Sequence, residues 1–210
     1  MMPFKSISIL SGPSFSNEVS QSLPTAVTLA TKDRKDFEKI SKLIPNKEFR
    51  IYYSNDLIGT QIGGALKNIY AIAAGVAEGL NLGENAKSAL ISRSFAEMTR
   101  YAKKFKADKN TLFGLSGLGD LILTCSSKNS RNTQFGIKLA SSKYDNFLDL
   151  LKSQEVTEGY YTVKAVYNIS QKKNIDMPIM ESVYNILYKQ HDLKEELSNL
   201  LSRPITEEKI

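Results

Sequence analysis

Gln61-Ile62-Gly63-Gly64-Ala65-Leu66-Lys67-Asn68 is the stretch on which the fold turns. Read forward from Leu57, the residues Ile58, Ile62, Leu66, Ile69, Ala73 and Val76 recur at helical spacing, which predicts an amphipathic or fully buried helix. Lys67 stands off that stripe. Three, four and seven positions away from it are Gly63, Gly64, Tyr70, Ala71 and Ala74, nearly all small. Two glycines in one helical turn cost about 1 kcal/mol each relative to alanine, so the sequence implies close packing or access at this point. Small residues leave room beside the ammonium for another element or a ligand. A partly desolvated lysine there can act as acid, base or carbonyl polariser. The same pattern also suits a lysine that snorkels from a buried helix to solvent.

On the amino-terminal side the pattern changes to strands. Ile7-Ser8-Ile9-Leu10 is a short β-type run that stops at Ser11-Gly12-Pro13-Ser14-Phe15, where Gly-Pro marks a turn. Ser14 is placed to cap a short helix over 16–19. A strand over 25–30, an amphipathic helix over 33–43 with Phe37, Ile40 and Leu43 on one face, and a strand over 49–53 follow. This is the edge of an α/β sheet. On the carboxyl side essentially no strands are expected. Helices are predicted from Glu84 to about Lys106, near 145–152, over 159–172 and 179–188, and from about Asp192 to Leu201, with a mobile tail from Arg203. The expected fold is mainly α: an all-helical substrate domain over 57–202, preceded by the last strands of a truncated Rossmann-type α/β domain over 1–56, with a tail over 203–210.

Two polar stretches interrupt the helical part. In Gly114-Leu115-Ser116-Gly117-Leu118-Gly119-Asp120-Leu121, three glycines before an aspartate predict tight backbone and an accessible carboxylate, or a helix cap. Ser126-Ser127-Lys128-Asn129-Ser130-Arg131-Asn132 precedes the apolar run Phe135, Ile137, Leu139 and Ala140. Polar side chains, an arginine fork and free N–H groups at a helix start suit a phosphate; a solvated loop is the plainer reading.

Composition narrows the function classes. The apolar and charged fractions, 41% and 24%, are those of an ordinary globular chain, and the net charge of +6 comes mainly from scattered lysines. No basic arm or aromatic signature points to nucleic acid. One cysteine, Cys125, excludes an intrachain disulfide framework and fits a reducing compartment; with one histidine, His191, a zinc site is not expected. No apolar run is long enough to span a membrane, and Met1-Met2-Pro3-Phe4-Lys5 lacks the apolar region of a signal peptide. A cytoplasmic protein is expected.

The motifs in order say more than each alone. Ser-Gly-Pro-Ser-Phe at 11–15, Gly-Gly-Ala-Leu-Lys-Asn at 63–68, Gly-Leu-Gly-Asp-Leu at 117–121, Cys-Ser-Ser-Lys-Asn-Ser-Arg-Asn at 125–132 and Thr-Glu-Gly-Tyr at 157–160 make a chain that resembles the bacterial-type NAD(P)-dependent glycerol-3-phosphate dehydrogenases, from Leu10 to about Leu201. The resemblance implies hydride transfer between NAD(P)H and dihydroxyacetone phosphate, giving sn-glycerol 3-phosphate for phospholipid synthesis. It implies that Lys67 is the catalytic proton donor and that Asp120 orients it. Asn68 and Thr124 would line that site, Gly12 and Ser14 would touch substrate, and Ser130, Arg131 and Asn132 would hold the substrate phosphate. Ser16, Arg131, Val156 and Glu158 would meet the cofactor, NAD or NADP.

The departures from the family pattern are Gln61 for the usual Glu, Ser16 for the usual Ala, and Thr157 where a second Val is common. The 210 residues also contain no Gly-x-Gly-x-x-Gly, the turn that cradles the cofactor pyrophosphate. The expectation is a fragment, or a split or truncated gene. A separate amino-terminal domain or a homodimer would then be the partner, and the chain by itself would have no measurable activity. The alternative of a different class is a non-catalytic helical remnant acting as a binding or interaction module.

Overall fold

The computed structural model describes residues 6–44, 47–141, 157–204 and 207. The helix expected near 145–152 and the cofactor position Val156 lie outside them. The chain falls into two compact units, Met1–Gly64 with Ala102–Leu123, and Ala65–Tyr101 with Thr124–Ile210. The division differs from the one read at residue 56: it falls inside the long central helix and returns residues 102–123 to the strands.

The first unit holds a three-stranded sheet, β1 (Ser8–Ser11), β2 (Thr25–Thr31) and β3 (Phe49–Ser54), in the order β1-β2-β3. β1 runs antiparallel to β2, with Ser8 opposite Thr31; β2 runs parallel to β3, with Thr25 opposite Phe49. The parallel pair is joined through α2 (Arg34–Lys42), which Asp33 caps by accepting from the Lys35 N–H, and Phe37 of α2 meets the Tyr53 ring edge-on at 5.2 Å. β2 is the central strand, and Val27, Leu29 and Ala30 are buried, which is why Thr-Ala-Val-Thr-Leu-Ala reads as a nearly continuous apolar run without alternation.

Short α1 (Ser16–Ser20) follows β1. The cap expected from Ser14 is not made: Phe15 holds the cap position and Ser14 Oγ donates to the Gly12 carbonyl at 3.1 Å, which closes the turn instead. Gly12 has φ +149°, and a Cβ there would lie 2.9 Å from Val27 Cα, so this turn requires glycine.

The central helix α3 runs Leu57–Gly79 and is capped by Asp56, whose carboxylate accepts from the Gly59 N–H. Of the two expectations for it, burial on all sides holds only past Ala65: Leu66, Ile69, Tyr70, Ala71, Ile72 and Ala74 are all at most 1% exposed, with Lys67 and Asn68 half-buried. The amino-terminal part is amphipathic, with Ile58 (47% exposed), Gln61 and Ala65 on the open face and Gly59, Thr60, Ile62 and Gly63 buried. α4 (Gly83–Lys104) and α5 (Lys109–Phe113) follow, and then a π-helical turn, Leu115–Gly119, leads directly into α6 (Asp120–Ser126). The room expected beside Gly63 is filled by that turn: a Cβ on Gly63 would lie 2.1 Å from the Ser116 carbonyl.

The second unit is helical: the bulk of α3 and α4, the end of α6, α7 (Arg131–Ser141), α8 (Glu158–Lys173), α9 (Pro178–Tyr184) continued by a π-helical turn Asn185–Lys189, and α10 (Leu193–Leu201). α3 and α7 meet backbone to backbone. A Cβ on Gly75 would sit 2.1 Å from the Thr133 carbonyl, and one on Gly136 2.1 Å from the Ile72 carbonyl. Around α9, Glu97 of α4 is fully buried. Its two carboxylate oxygens accept the Ile179 and Met180 N–H groups at 2.6 and 3.1 Å. Burial outweighs those two bonds and pushes the Glu97 carboxyl up to about 7. Burial, and then the charge of Glu97, hold the Tyr70 phenol well above its ordinary value. Arg203, read from sequence as the start of a mobile tail, pairs with Asp176 at 3.0 Å.

Candidate functional site

The second unit gathers most of the residues singled out above. Lys67 and Asn68 are consecutive on α3 and half-buried. Asn132, in the first turn of α7, is buried and spans two helices: its Nδ2 donates to Asn68 Oδ1 at 3.1 Å, and its Oδ1 accepts the Gly159 N–H of α8 at 3.0 Å. Gly159 fits because it has no side chain; a Cβ there would lie 2.6 Å from the Asn68 carbonyl and 2.7 Å from Asn132 Oδ1. Three helices therefore converge on one asparagine. Arg131, next to it, pairs with Glu158 at the first turn of α8, and both side chains are exposed.

The loop before α7 is built by short-range hydrogen bonds. The Ser130 N–H donates to the Ser127 carbonyl and the Asn129 N–H to Ser127 Oγ. Ser130 Oγ in turn accepts the Thr133 N–H at 3.2 Å, the N-cap arrangement of Ser-x-x-Thr. Thr133 Oγ1 donates to the Thr124 carbonyl at 2.7 Å, which fixes the end of α6 to the start of α7. So Asn68, Thr124, Ser130, Arg131, Asn132 and Glu158 are linked, with Lys67 one residue from Asn68. The start of α7 thus carries one exposed cation, Arg131, paired with Glu158, and a Ser130 hydroxyl that is 3% exposed.

Gly12, Ser14, Ser16 and Asp120 belong to the first unit. Gly12 and Ser14 form the turn described above, and Ser16 is the exposed first residue of α1. The expectation of an accessible carboxylate at Asp120 is corrected: it is 2% exposed. The preceding π-helical turn leads straight into α6, and Gly117 within it packs against the Leu112 backbone, 2.1 Å from its notional Cβ to that carbonyl; the glycines marked tight backbone, not an exposed acid.

Two buried polar residues of the second unit, one of them at the site, were not read from the sequence. Glu97 sits in Ser94-Phe95-Ala96-Glu97-Met98, a lone acid among apolar residues of an inward helical face, and that position was its signal. Thr133 carried only a weak one, as the third residue after Ser130. Among the described residues no group of three or more His, Cys, Asp or Glu could hold a metal, and no helix is long and apolar enough to cross a membrane.

Comparison with known proteins gives a consistent result. Residues 56–198 match the family model described as NAD-dependent glycerol-3-phosphate dehydrogenase C-terminus. A glycerol-3-phosphate dehydrogenase [NAD(P)+] of Solidesulfovibrio magneticus is 47% identical over 95% of this chain and 60% of its own length. One from Colwellia psychrerythraea is 44% identical over 94% and 59%. Among solved structures, glycerol-3-phosphate dehydrogenase from Coxiella burnetii superposes with a TM-score of 0.89 at 38% identity, covering 94% of this chain and 61% of that one. The yeast enzyme from Saccharomyces cerevisiae gives 0.77 at 29% identity, covering 90% and 57%. The chain thus spans about 60% of the length of the curated relatives it matches.

Proposed function

The chain belongs to the NAD-dependent glycerol-3-phosphate dehydrogenase family, and from that premise we propose that it supplies the substrate-binding, lysine-bearing part of an enzyme that interconverts dihydroxyacetone phosphate and sn-glycerol 3-phosphate in the cytoplasm, for glycerophospholipid synthesis. The observation that supports this best is the convergence of α3, α7 and α8 on Asn132, which ties Asn68, the neighbour of Lys67, to the loop that carries Ser130 and Arg131.

Chemically, the reaction needs a proton donor at the carbonyl oxygen and a clamp for the phosphate, remote from the reacting carbon, so that binding energy positions that carbon. In this reading Lys67 gives its proton to the carbonyl oxygen during reduction and takes it back during oxidation. Asp120 has the supporting role that the resemblance assigns to it. Ser130, Arg131 and Asn132 hold the phosphate, Arg131 by the planar fork that suits phosphate oxygens. Asn68 and Thr124 line the substrate, with Gly12 and Ser14 as further contacts.

The nicotinamide cofactor, NAD or NADP, supplies or accepts the hydride at the substrate carbon when bound. Arg131 and Glu158, exposed and of opposite sign, fit a ligand that carries both phosphates and ribose hydroxyls; for Ser16 and Val156 a cofactor role rests on the resemblance alone.

The test is selective ligand binding. Arg131→Ala should weaken binding of sn-glycerol 3-phosphate by about 1.5–3 kcal/mol, the scale of a lost charge-assisted hydrogen bond, and leave any binding of unphosphorylated glycerol unchanged. Calorimetric titration of the 210-residue chain and its variant with both ligands decides it. Equal losses for both would make Arg131 a structural residue.

A further inference from the structure

Thr133 lies outside the set of residues placed on the substrate, yet the loop that bears them is hung from it. We infer that Thr133 is a positioning residue for phosphate recognition: its side chain and amide lock the loop Ser126–Arg131 into the shape in which Ser130 and Arg131 present to an anion. The inference rests on the phosphate-clamp reading of that loop.

The argument is one of burial. The loop's outer ties are exposed. Gln134 Nε2 donates to the Lys128 carbonyl, Asn129 N–H to Ser127 Oγ, and Lys128 reaches Glu78 at 3.6 Å with its own side chain 78% exposed. Exposed ties of this kind contribute little. Two buried ties run through Thr133, which has no exposed surface. Its hydroxyl donates to the Thr124 carbonyl at 2.7 Å and its N–H donates to Ser130 Oγ at 3.2 Å. Its own carbonyl is pressed against Gly75 of α3, so the residue cannot shift along α7 without moving that helix contact. One residue thus links α3 through its carbonyl, the end of α6 through its hydroxyl and the cap of α7 through its N–H. Replacing the hydroxyl by a methyl keeps the shape, removes the donor and leaves the Thr124 carbonyl without it; such a loss at a buried carbonyl costs far more than a lost surface contact.

The experiment compares Thr133→Val, which is isosteric, with Thr133→Ser, which keeps the hydroxyl, and with Arg131→Ala as the control for the phosphate reading itself. Two readouts are taken on the 210-residue chain: calorimetric affinity for inorganic phosphate and sn-glycerol 3-phosphate, and amide hydrogen exchange at Ser130, Thr133 and Gln134. The expected result is about a tenfold loss of affinity for both anions in Thr133→Val, with recovery to within about threefold in Thr133→Ser, and faster exchange at the loop amides in the valine variant alone. A valine variant that binds and exchanges like the parent overturns the inference. So does a serine variant that loses as much as valine, because packing of the methyl, not the hydroxyl, would then be responsible. If loop exchange accelerates while neither Thr133→Val nor Arg131→Ala alters anion affinity, the phosphate reading of the loop fails, and the recognition role fails with it.

Discussion

Replacing Glu97 by glutamine should remove a pH dependence of stability whose sign and size follow from its burial. The Glu97 carboxyl is pushed from 4.5 to about 7, with burial the main cause and Asp176 adding to it, against the two α9 N–H bonds and Arg100. The folded state therefore holds the proton more tightly than the unfolded chain. The stability this group contributes is present in full below about pH 4.5 and is lost as pH rises to about 7. At 1.36 kcal/mol per pH unit, a shift of roughly 2.5 units amounts to about 3 kcal/mol between those limits. Glutamine cannot titrate. Its oxygen can accept one of the two N–H groups while its amide faces the other, donor against donor, at a cost of about 1–3 kcal/mol at every pH. The assay is urea unfolding of the parent chain and Glu97→Gln at pH 5, 6, 7 and 8, followed by circular dichroism. Taking the difference at each pH cancels the other titrating groups, apart from any coupled directly to Glu97. The parent's advantage should shrink by about 2–3 kcal/mol from pH 5 to pH 8, and could reverse. A difference that stays flat, or grows with pH, would refute the reasoning, since the hydrogen bonds and Arg100 would then outweigh burial.

Other expectations concern the site and its scaffold. In an active enzyme that contains this chain, Lys67→Ala should lower kcat by about 10²-fold or more, the scale of general acid–base catalysis, with circular dichroism unchanged; near-normal turnover would remove Lys67 from the chemistry. Gly136→Ala should destabilise the second unit by about 1–3 kcal/mol in urea unfolding, because the added Cβ meets the Ile72 backbone, which cannot step aside as a side chain would. Gly83→Ala is a useful contrast: nothing lies near its Cβ, and its φ of +85° alone should set the cost.

The parts of the fold that depend on local rules were legible in the sequence. The strands of the sheet, the amphipathic α2 and the start of α10 at Asp192 all follow from periodicity and caps, and Asp192 does accept from Lys194 and Glu195. The residues proposed for the site in the second unit stand out in the sequence as a resemblance and, for Asn132 and Arg131, as polar residues at a helix start. What could not be read was depth. Asp120 looked accessible because glycines preceded it, but a π-helical turn has no sequence signature that tells a buried aspartate from an exposed one. Likewise the small residues of α3 signalled close approach without saying that the partner at Gly63 was protein backbone rather than ligand.

Glu97 and Asn132 show why such residues escape a local reading. The N-cap residues of α8 and α9, Thr157 and Met177, make no side-chain cap. The N–H groups at their starts are instead taken by side chains from far along the chain. Asn132 accepts from Gly159, and Glu97 from Ile179 and Met180. Cap rules examine three residues on either side of a helix start, and these caps lie about 27 and 82 positions away. They also differ from local caps in consequence. A local cap forms with its helix, whereas these form only when α7 meets α8 and α4 meets α9, so helix ends and tertiary packing are satisfied together or not at all. At Asn132 the other end of the same amide holds Asn68, so fraying at the start of α8 frees the group that orients the neighbour of Lys67. The order of the proposed site is therefore tied to the cooperativity of the helical unit as well as to the loop that Thr133 holds.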